Sequence, residues 1–253
     1  RRIKKEHNTF IITTDSGDSE AKTVVVAAGS QSLQFAYDLG YGKEFILLPV
    51  AGNFFCAPKV LNGKVYTMQI KKLPFAAVHG DPAVDNLDET RFGPTMKVLP
   101  VLERRKMKTT MEFLRLFEFR LDAILSLLKI LADKTIFLYI LKNLLYDIPI
   151  IGKRIFVAKE MRKIVPSIGP KDVRFGKGLG GIRPQIVDVK KKAMVMGEGK
   201  IVGDNIIFDL TPSPGASVCL KNAEVDAKKL IEFLGRKFTF DKAKFERELR
   251  RTE

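Results

Sequence analysis

The chain has 253 residues, of which 45% are hydrophobic and 29% are charged. This is the composition of a globular protein with one sizeable core or two smaller ones, and it excludes a disordered or collagen-like chain. The 44 basic and 29 acidic residues give a formal net charge of +15, which favours anionic partners such as nucleic acid, anionic lipid or a dicarboxylate.

Short β-branched runs predict strands in the first part of the chain. Residues 9–12 and 23–27 flank a turn-rich segment at 15–18, and together they predict a strand, a hairpin turn and a buried strand. Further strand-like runs lie at 45–50, 64–70, 75–79 and 95–99, with proline and glycine between them. We expect these runs to form a mostly antiparallel sheet.

A long helical segment follows at residues 110–152. Its polar residues recur every three or four positions and form a narrow stripe on an apolar cylinder: Arg115, Glu118, Asp122, Ser126, Lys129 and Asp133. The pattern predicts a mostly buried helix, and its charges are too frequent for a membrane span. Two interpretations remain open, a helical insertion packed on the sheet or an amphipathic surface that also lies on a membrane.

The last third of the chain alternates between strands and helices. A short helix is predicted at 158–164, and a glycine-rich loop at 176–181 leads into strands at 184–189, 193–196 and 205–210. Helices are then predicted at 223–234 and, charged and exposed, at 241–251. The fold class predicted from all of these elements is α+β.

Two residue types give little evidence for a metal or disulfide site. Cys56 and Cys219 are too few for a disulfide framework, and we expect both to be reduced thiols in the core. His7 and His79 have no cysteine or histidine at ligand spacing, so no metal is expected. No nucleic-acid-binding motif accompanies the basic residues, so we expect no nucleic acid partner.

The strand at 23–27 ends in small residues, in the run Thr23-Val-Val-Val-Ala-Ala-Gly29. Without bulky side chains at Ala28 and Gly29, a ligand or another backbone can approach closely. A plain strand-to-loop turn is the alternative.

His79 ends a predicted strand in the run Phe75-Ala-Ala-Val-His-Gly-Asp-Pro82, and Arg91-Phe-Gly-Pro-Thr95 follows. Histidine titrates near neutral pH, which suits a general base that takes a hydroxyl proton. On spacing alone, a lone histidine at the end of a strand is more often structural.

Arg183 begins a predicted strand in Gly180-Gly-Ile-Arg-Pro-Gln185, after the glycine-rich loop. Its planar guanidinium suits bidentate binding of a carboxylate, although a surface arginine is the alternative.

The run Ser213-Pro-Gly-Ala-Ser217 precedes a predicted helix, where backbone N–H groups favour negative charge. A proline-rich helix start without a ligand is the alternative there.

Taken in order, these motifs resemble the malate:quinone oxidoreductases, a family of FAD-dependent 2-hydroxy-acid dehydrogenases in the D-amino-acid-oxidase-like superfamily. The Ser-Pro-Gly-Ala-Ser run is the most specific match, and the runs at 64–66 and 160–167 support it. The resemblance spans residues 23–234. Ile182 and Pro184 depart from the family pattern beside Arg183.

The resemblance implies oxidation of (S)-malate, a dicarboxylate, to oxaloacetate, with FAD as cofactor and a membrane quinone as acceptor. It implies His79 as the catalytic base and Arg183, Arg91 and Gln185 as substrate-binding residues. The cofactor-binding residues that it implies are Ala28, Gly29, Ser213, Pro214, Gly215, Ala216 and Ser217. It also implies a peripheral position at the membrane surface, on the inner face of the cytoplasmic membrane.

The family pattern also predicts the domain organisation. Residues 1–45 and 205–253 are expected to be the C-terminal portion of an FAD-binding, Rossmann-like domain, and 46–204 a substrate domain with a helical insertion at 110–152. No Gly-x-Gly-x-x-Gly motif follows an opening strand, so we expect only the C-terminal half of the enzyme. The missing N-terminal FAD-binding half is then a separate chain or was removed, and this half alone is expected to be inactive.

Two other functions fit parts of the sequence. An L-2-hydroxyglutarate dehydrogenase or oxidase would also carry a histidine followed by Phe-Gly-Pro. A basic, non-enzymatic module that binds lipid or a protein partner would explain the charge and the apolar helical segment.

Overall fold

The computed structural model describes residues 1–68, 73, 77–118, 120–195, 199–210, 215–235 and 237–249. The strands in these ranges are, in chain order, β1 (Arg2–Glu6), β2 (Thr9–Thr14), β3 (Gly17–Ala21), β4 (Val24–Val26), β5 (Phe45–Pro58), β6 (Val65–Tyr66), β7 (His79–Pro82), β8 (Glu89–Val98), β9 (Arg174–Phe175), β10 (Ile182–Asp188), β11 (Ala193–Met194), β12 (Lys200–Val202) and β13 (Ile206–Asp209). The α-helices are α1 (Ser32–Asp38), α2 (Thr109–Arg115), α3 (Leu121–Leu131), α4 (Lys134–Tyr146), α5 (Ile151–Lys159), α6 (Gly215–Phe233) and α7 (Lys242–Leu249).

The chain divides into two compact units. The terminal unit consists of Arg1–Lys43 and Gly197–Glu253, and the central unit consists of Glu44–Met196. In both, helices accompany sheets that are mostly antiparallel, which confirms the predicted mixture of helices with an antiparallel sheet.

The terminal unit contains two small sheets. Strands β1, β2 and β3 form an antiparallel meander, and β12, β13 and β4 form the second sheet, in which β13 runs parallel to β4. The buried side chains of Leu33, Ile206 and Phe208 form part of its core, and the Phe208 ring lies 5.9 Å from that of Tyr41.

The hairpin predicted in this unit forms at the predicted turn, but β2 pairs with a different strand from the one predicted. Strand β2 pairs with Gly17–Ala21, a polar run that shows no apolar alternation. The turn fixes this register, because the Thr14 hydroxyl donates a hydrogen bond to the Gly17 carbonyl at 2.9 Å. The apolar run at 24–26 instead forms β4 of the other sheet.

The central unit is built on a seven-stranded antiparallel sheet in the order β11, β10, β5, β8, β7 and β6, with β9 also paired to β5. Strand β5 lies in the middle, and its residues 46–53 are buried, which explains their nearly continuous apolar sequence. Below the sheet, Phe55 stacks on Phe156 of α5 with ring centroids 4.7 Å apart, in a cluster that also buries Phe92 and Met161.

The predicted helical segment at 110–152 is divided into the separate helices α2, α3 and α4, and it also differs from the prediction in its burial. Helix α4 lies against β8, where Asn143 Oδ1 accepts a hydrogen bond from the Met96 N–H at 2.8 Å. The prediction of a mostly buried helix is nevertheless wrong, because α3 and α4 leave large apolar side chains such as Leu128 and Phe137 exposed. Of the helices in the described ranges, none is both long and apolar enough to cross a membrane.

Both cysteines are reduced thiols, as predicted, but only one is a core residue. Cys56 of β5 is buried, and this burial raises the pKa of its thiol. Cys219 of α6 is exposed, so its predicted core position is wrong.

Candidate functional site

His79 is the first residue of β7 and not the last residue of a strand, as the sequence had suggested. In the antiparallel pair with β8, His79 lies opposite Gly93 and Asp81 lies opposite Arg91. Side chains two residues apart on a strand share one face, and His79 Nδ1 lies 2.6 Å from Asp81 Oδ1. When Nδ1 carries the proton of this contact, Nε2 is the nitrogen that can accept another.

Two aromatic rings pack beside this imidazole, which is only 8% exposed. The ring centroid of Tyr66 is 5.3 Å from that of His79, and the ring of Phe54 is 6.0 Å away. Tyr66 lies directly opposite His79 in the pairing of β6 with β7. The two rings and Asp81 therefore restrict the orientation of the imidazole.

Arg183 and Gln185 alternate on β10 and so share one face of the central sheet. Burial lowers the pKa of the Arg183 guanidinium, while the phenols of Tyr139 and Tyr66 act in the opposite direction; an arginine nonetheless stays charged. Gln185 is 3% exposed, and its Nε2 has no hydrogen-bond partner within the described ranges. A buried amide donor of this kind can bind an acceptor oxygen of a ligand.

Tyr66 interacts with both His79 and Arg183. Its ring packs beside His79, and its phenol is one of the groups that act on Arg183. A cavity of about 510 Å³ has both Tyr66 and Tyr139 on its wall. Its size is within the range of small-molecule pockets, which is roughly 300–1,000 Å³, but His79, Arg183 and Gln185 are not among its described lining residues.

A buried carboxylate lies on the wall of the same cavity. Glu160 accepts hydrogen bonds from Tyr146 at 2.8 Å and from Lys163 at 2.9 Å, and it also pairs with Lys142. Burial opposes the ionisation of Glu160, but the hydrogen bonds from these three residues outweigh it and lower its pKa. The carboxylate is therefore charged, and its hydrogen bonds to Tyr146, Lys163 and Lys142 indicate a structural role.

Arg91 already has a carboxylate partner. It lies opposite Asp81, and therefore on the face that carries His79, but its guanidinium forms an ion pair with Asp85. Its Nε is buried and has no hydrogen-bond partner in the described part of the chain. A substrate carboxylate would have to compete with Asp85 for Arg91.

Ala28 and Gly29 lie in the terminal unit, directly after β4. The Ala28 N–H donates to Ser32 Oγ at 2.9 Å, and Gly29 has a φ of +58° with open space where a side chain would begin. A cavity of about 540 Å³ has Gly29 on its wall, together with Ala27 and residues of α6 such as Ala223. The backbone at Gly29 can therefore be approached closely.

Three of the five residues of the predicted Ser-Pro-Gly-Ala-Ser site lie within the described ranges. Ser213 and Pro214 lie outside the described residues. Gly215, Ala216 and Ser217 form the first turn of α6, so they do not precede the helix as expected. The helix begins about two turns earlier than the predicted start at residue 223.

Sequence reasoning missed three residues of this arrangement. Asp81 could have been found, because a His-x-Asp spacing on a strand puts both side chains on one face. Tyr66 and Tyr139 carried no such signal, since their approach to Arg183 depends on how β6 and α4 are arranged around the sheet.

Comparison with known proteins finds relatives along almost the whole chain. The probable malate:quinone oxidoreductase of Helicobacter acinonychis is 41% identical over 247 residues, which are 96% of this chain and 54% of that protein. The malate:quinone oxidoreductase of Helicobacter pylori has the same identity and coverage. The probable malate:quinone oxidoreductase of Campylobacter jejuni is 43% identical over 244 residues, 95% of this chain and 54% of that protein.

These relatives confirm the resemblance that the motifs indicated. No protein-family model matches the chain. The chain spans about half the length of the curated relatives it matches, which is consistent with the predicted C-terminal half. The roles of individual residues stay predictions.

Proposed function

Since the chain is related to the malate:quinone oxidoreductases along nearly its whole length, we propose that it is part of an enzyme that oxidises (S)-malate to oxaloacetate with a membrane quinone as acceptor. The observation that carries this proposal is the buried His79–Asp81 pair, within a chain 41–43% identical to such proteins. Tyr66 packs beside the imidazole of this pair, and its phenol favours the charged form of Arg183, the cation proposed to bind a carboxylate.

The proposed cofactor is FAD, and the residues of the terminal unit fit it. Strands β4 and β13 are parallel, as in Rossmann-like domains, and the chain leaves β4 at small residues. The open space at Gly29, on the wall of a cavity of about 540 Å³, suits close approach of a large cofactor. In this proposal Ala28, Gly29 and the run 213–217 hold FAD, which supplies the acceptor for the hydride from C2 of the substrate.

The central unit would supply the residues that act on the substrate. His79 Nε2 takes the proton of the C2 hydroxyl, and Asp81 keeps the proton on Nδ1 and offsets the charge of the imidazolium. Arg183 binds one carboxylate through two parallel N–H donors. Gln185 Nε2 donates to a carboxylate oxygen, and Arg91 is the second candidate for a carboxylate.

In the whole protein, the two parts of this chain would belong to different domains. Residues 1–45 and 205–253 are the remainder of the FAD-binding, Rossmann-like domain, and 46–204 are the substrate domain with its helical insertion. The protein would be peripheral, on the inner face of the cytoplasmic membrane, where it meets its quinone. The 253-residue chain alone is expected neither to retain FAD tightly nor to oxidise malate.

L-2-hydroxyglutarate is the competing substrate, because it differs from malate by one methylene. Discrimination of that size depends on the shape of the pocket and amounts to about 1–3 kcal/mol. Both substrates must therefore be tested in one experiment.

The experiment is anaerobic reduction of the flavin in the full-length protein. We expect (S)-malate to bleach the flavin absorbance and L-2-hydroxyglutarate to leave it almost unchanged. Bleaching by L-2-hydroxyglutarate alone would replace the proposed substrate, and a purified protein without flavin would refute the proposal as a whole.

A further inference from the structure

Helices α3 and α4 carry a row of apolar side chains on the side turned away from the sheet. We call this the apolar face. Its members are 41–68% exposed, and they are Leu121, Ile124, Leu125, Leu128, Phe137, Leu138, Leu141, Leu144, Leu145 and Ile148. On each helix they recur at spacings of three, four and seven residues, so each set forms one continuous stripe.

The opposite sides of these helices are buried and partly polar. On α3, Ser126 is buried and its hydroxyl donates to the Val189 carbonyl at 3.0 Å. On α4, Asn143 is buried, with its amide donating to the Tyr139 carbonyl at 2.8 Å and its carbonyl accepting from the Met96 N–H at 2.8 Å. A helix at a water-facing surface shows the reverse distribution, with apolar residues inside and polar residues outside. A face this large and apolar therefore calls for a partner.

The charges around the apolar face favour an anionic partner. The segment 104–154, which includes both helices, contains eleven basic and five acidic residues, although Arg104, Arg120 and Lys142 have partners within the chain. Lys129 and Lys134 are exposed at the junction of the two helices, and Arg115 and Arg154 are exposed nearby in the sequence. Long basic side chains beside an apolar stripe can reach the phosphates of a lipid layer while their stems stay in the apolar zone.

We propose that the apolar face lies in one leaflet of an anionic lipid bilayer, with α3 and α4 parallel to the membrane plane. Helix α4 has 13 residues and is about 20 Å long, which is too short for the roughly 30 Å of a hydrocarbon core. The face gives the protein a monotopic anchor. Lipid binding by the apolar face does not depend on the proposed function. Only the purpose of the anchor rests on that function, because the anchor would bring the enzyme to its membrane quinone.

A second copy of the chain is a less suitable partner. Two copies joined through this face would bring the same excess of basic residues together, and like charges across an interface oppose association. An anionic lipid surface removes that repulsion and covers the leucine side chains at the same time.

The 253 residues contain no tryptophan, so a single introduced tryptophan can report on its own surroundings. The test uses the full-length protein, with any tryptophan outside these residues replaced by phenylalanine. Leu141→Trp places a fluorescent reporter on the apolar face, and Leu87→Trp places a matched one on an exposed residue between β7 and β8. With vesicles of phosphatidylcholine and phosphatidylglycerol, we expect a blue shift of Leu141→Trp and quenching by brominated phosphatidylcholine. Leu87→Trp should show neither. Equal behaviour of the two reporters would overturn the inference.

Vesicle sedimentation measures the contribution of the face. Replacing Leu141 and Leu145 together by glutamine should lower the partition coefficient about tenfold or more, and tenfold corresponds to about 1.4 kcal/mol. In the control variant, glutamine replaces Val84 and Leu87, which are exposed elsewhere in the central unit. This variant should bind vesicles as the parent does. Unchanged binding of the leucine variant would contradict the inference.

Two further outcomes separate lipid from other partners and from the enzymatic proposal. Dissociation of a dimer by the leucine variant, measured by sedimentation velocity without lipid, would assign the face to a second copy and overturn the lipid anchor. Flavin reduction by malate in solution is independent of vesicle binding. Failure of the anchor therefore leaves the proposed reaction standing, and failure of the reaction leaves the anchor standing.

Discussion

Replacing Tyr146 by phenylalanine removes one hydroxyl from the interior of the central unit and keeps the ring. The hydroxyl donates to Glu160 Oε1 at 2.8 Å, and the ring meets Phe156 edge to face with centroids 5.1 Å apart. Because the ring contact survives the substitution, the change in stability reports on the hydrogen bond.

The expected loss follows from the charge of the acceptor. A hydrogen bond to a charged group contributes about 1.5–3 kcal/mol, against about 1 kcal/mol for a neutral pair. Glu160 keeps Lys142 and Lys163 as donors in the variant, so its carboxylate is not left unpaired. We therefore expect the free energy of unfolding to fall by the lower part of that range, about 1.5–2 kcal/mol.

The loss should also depend on pH, because the pKa of Glu160 is lowered in the folded protein: burial opposes its ionisation, but hydrogen bonds from Lys142, Lys163 and Tyr146 outweigh it. A carboxylate with a lowered pKa contributes stability above its unfolded pKa, which is about 4.3 for glutamate. That contribution disappears as the pH falls through the folded pKa. The difference between Tyr146→Phe and the parent should be largest near neutral pH and shrink below about pH 4.

Urea unfolding of the 253-residue chain, followed by circular dichroism at several pH values, measures both effects. The matched control is Tyr41→Phe, which removes a hydroxyl that accepts a bond from the Asp204 N–H at 3.1 Å. This bond is neutral, so its loss should be smaller and independent of acidic pH. Equal losses in the two variants, or a loss for Tyr146→Phe that persists at low pH, would refute the reasoning.

Three further predictions concern the candidate site. Asp81→Asn should lower the turnover of the full-length enzyme about ten- to hundredfold, since it removes a charge-assisted bond to the imidazole, whereas Asp88→Asn on the exposed turn should have no effect on the steady-state rate. Arg183→Lys should raise the KM for malate about tenfold or more, because an ammonium cannot bind a carboxylate through two parallel bonds. Gly93→Ala should lower the thermal midpoint, because its methyl group would meet a backbone oxygen and an aromatic ring at 2.8 Å; Gly63→Ala, where nothing lies within 4 Å, is the control in a melting experiment.

Local patterns predicted much of the sheet and part of the site. The β-branched runs located β2, β4, β5 and β13, and Arg183 was correctly placed near the start of β10, which begins one residue earlier at Ile182. The strand β3 was missed because its polar sequence carries no alternation, and its position follows from the turn before it. Arg183 and Gln185 could be named because the family resemblance pointed to their motif, whereas the influence of Tyr66 and Tyr139 on Arg183 depends on the tertiary fold.

The orientation of the helices could not be predicted. A polar stripe on an apolar helix normally marks the solvent side, which led to the expectation of burial for the leucine residues. In the structure, Ser126 and Asn143 satisfy backbone groups of the sheet and turn the apolar stripe outward. Which face of an amphipathic helix is buried depends on its partner, and periodicity alone does not specify that partner.

The central claim is that His79 takes the hydroxyl proton while malate reduces FAD, and the most direct test is the single-turnover rate of flavin reduction by (S)-malate in the full-length enzyme. We compare the parent with His79→Asn, and use His7→Asn, an exposed histidine of the terminal unit, as the control. The account predicts a fall of about 10²-fold or more for His79→Asn with unchanged flavin content, and no change for His7→Asn. An undiminished rate in His79→Asn would contradict the account.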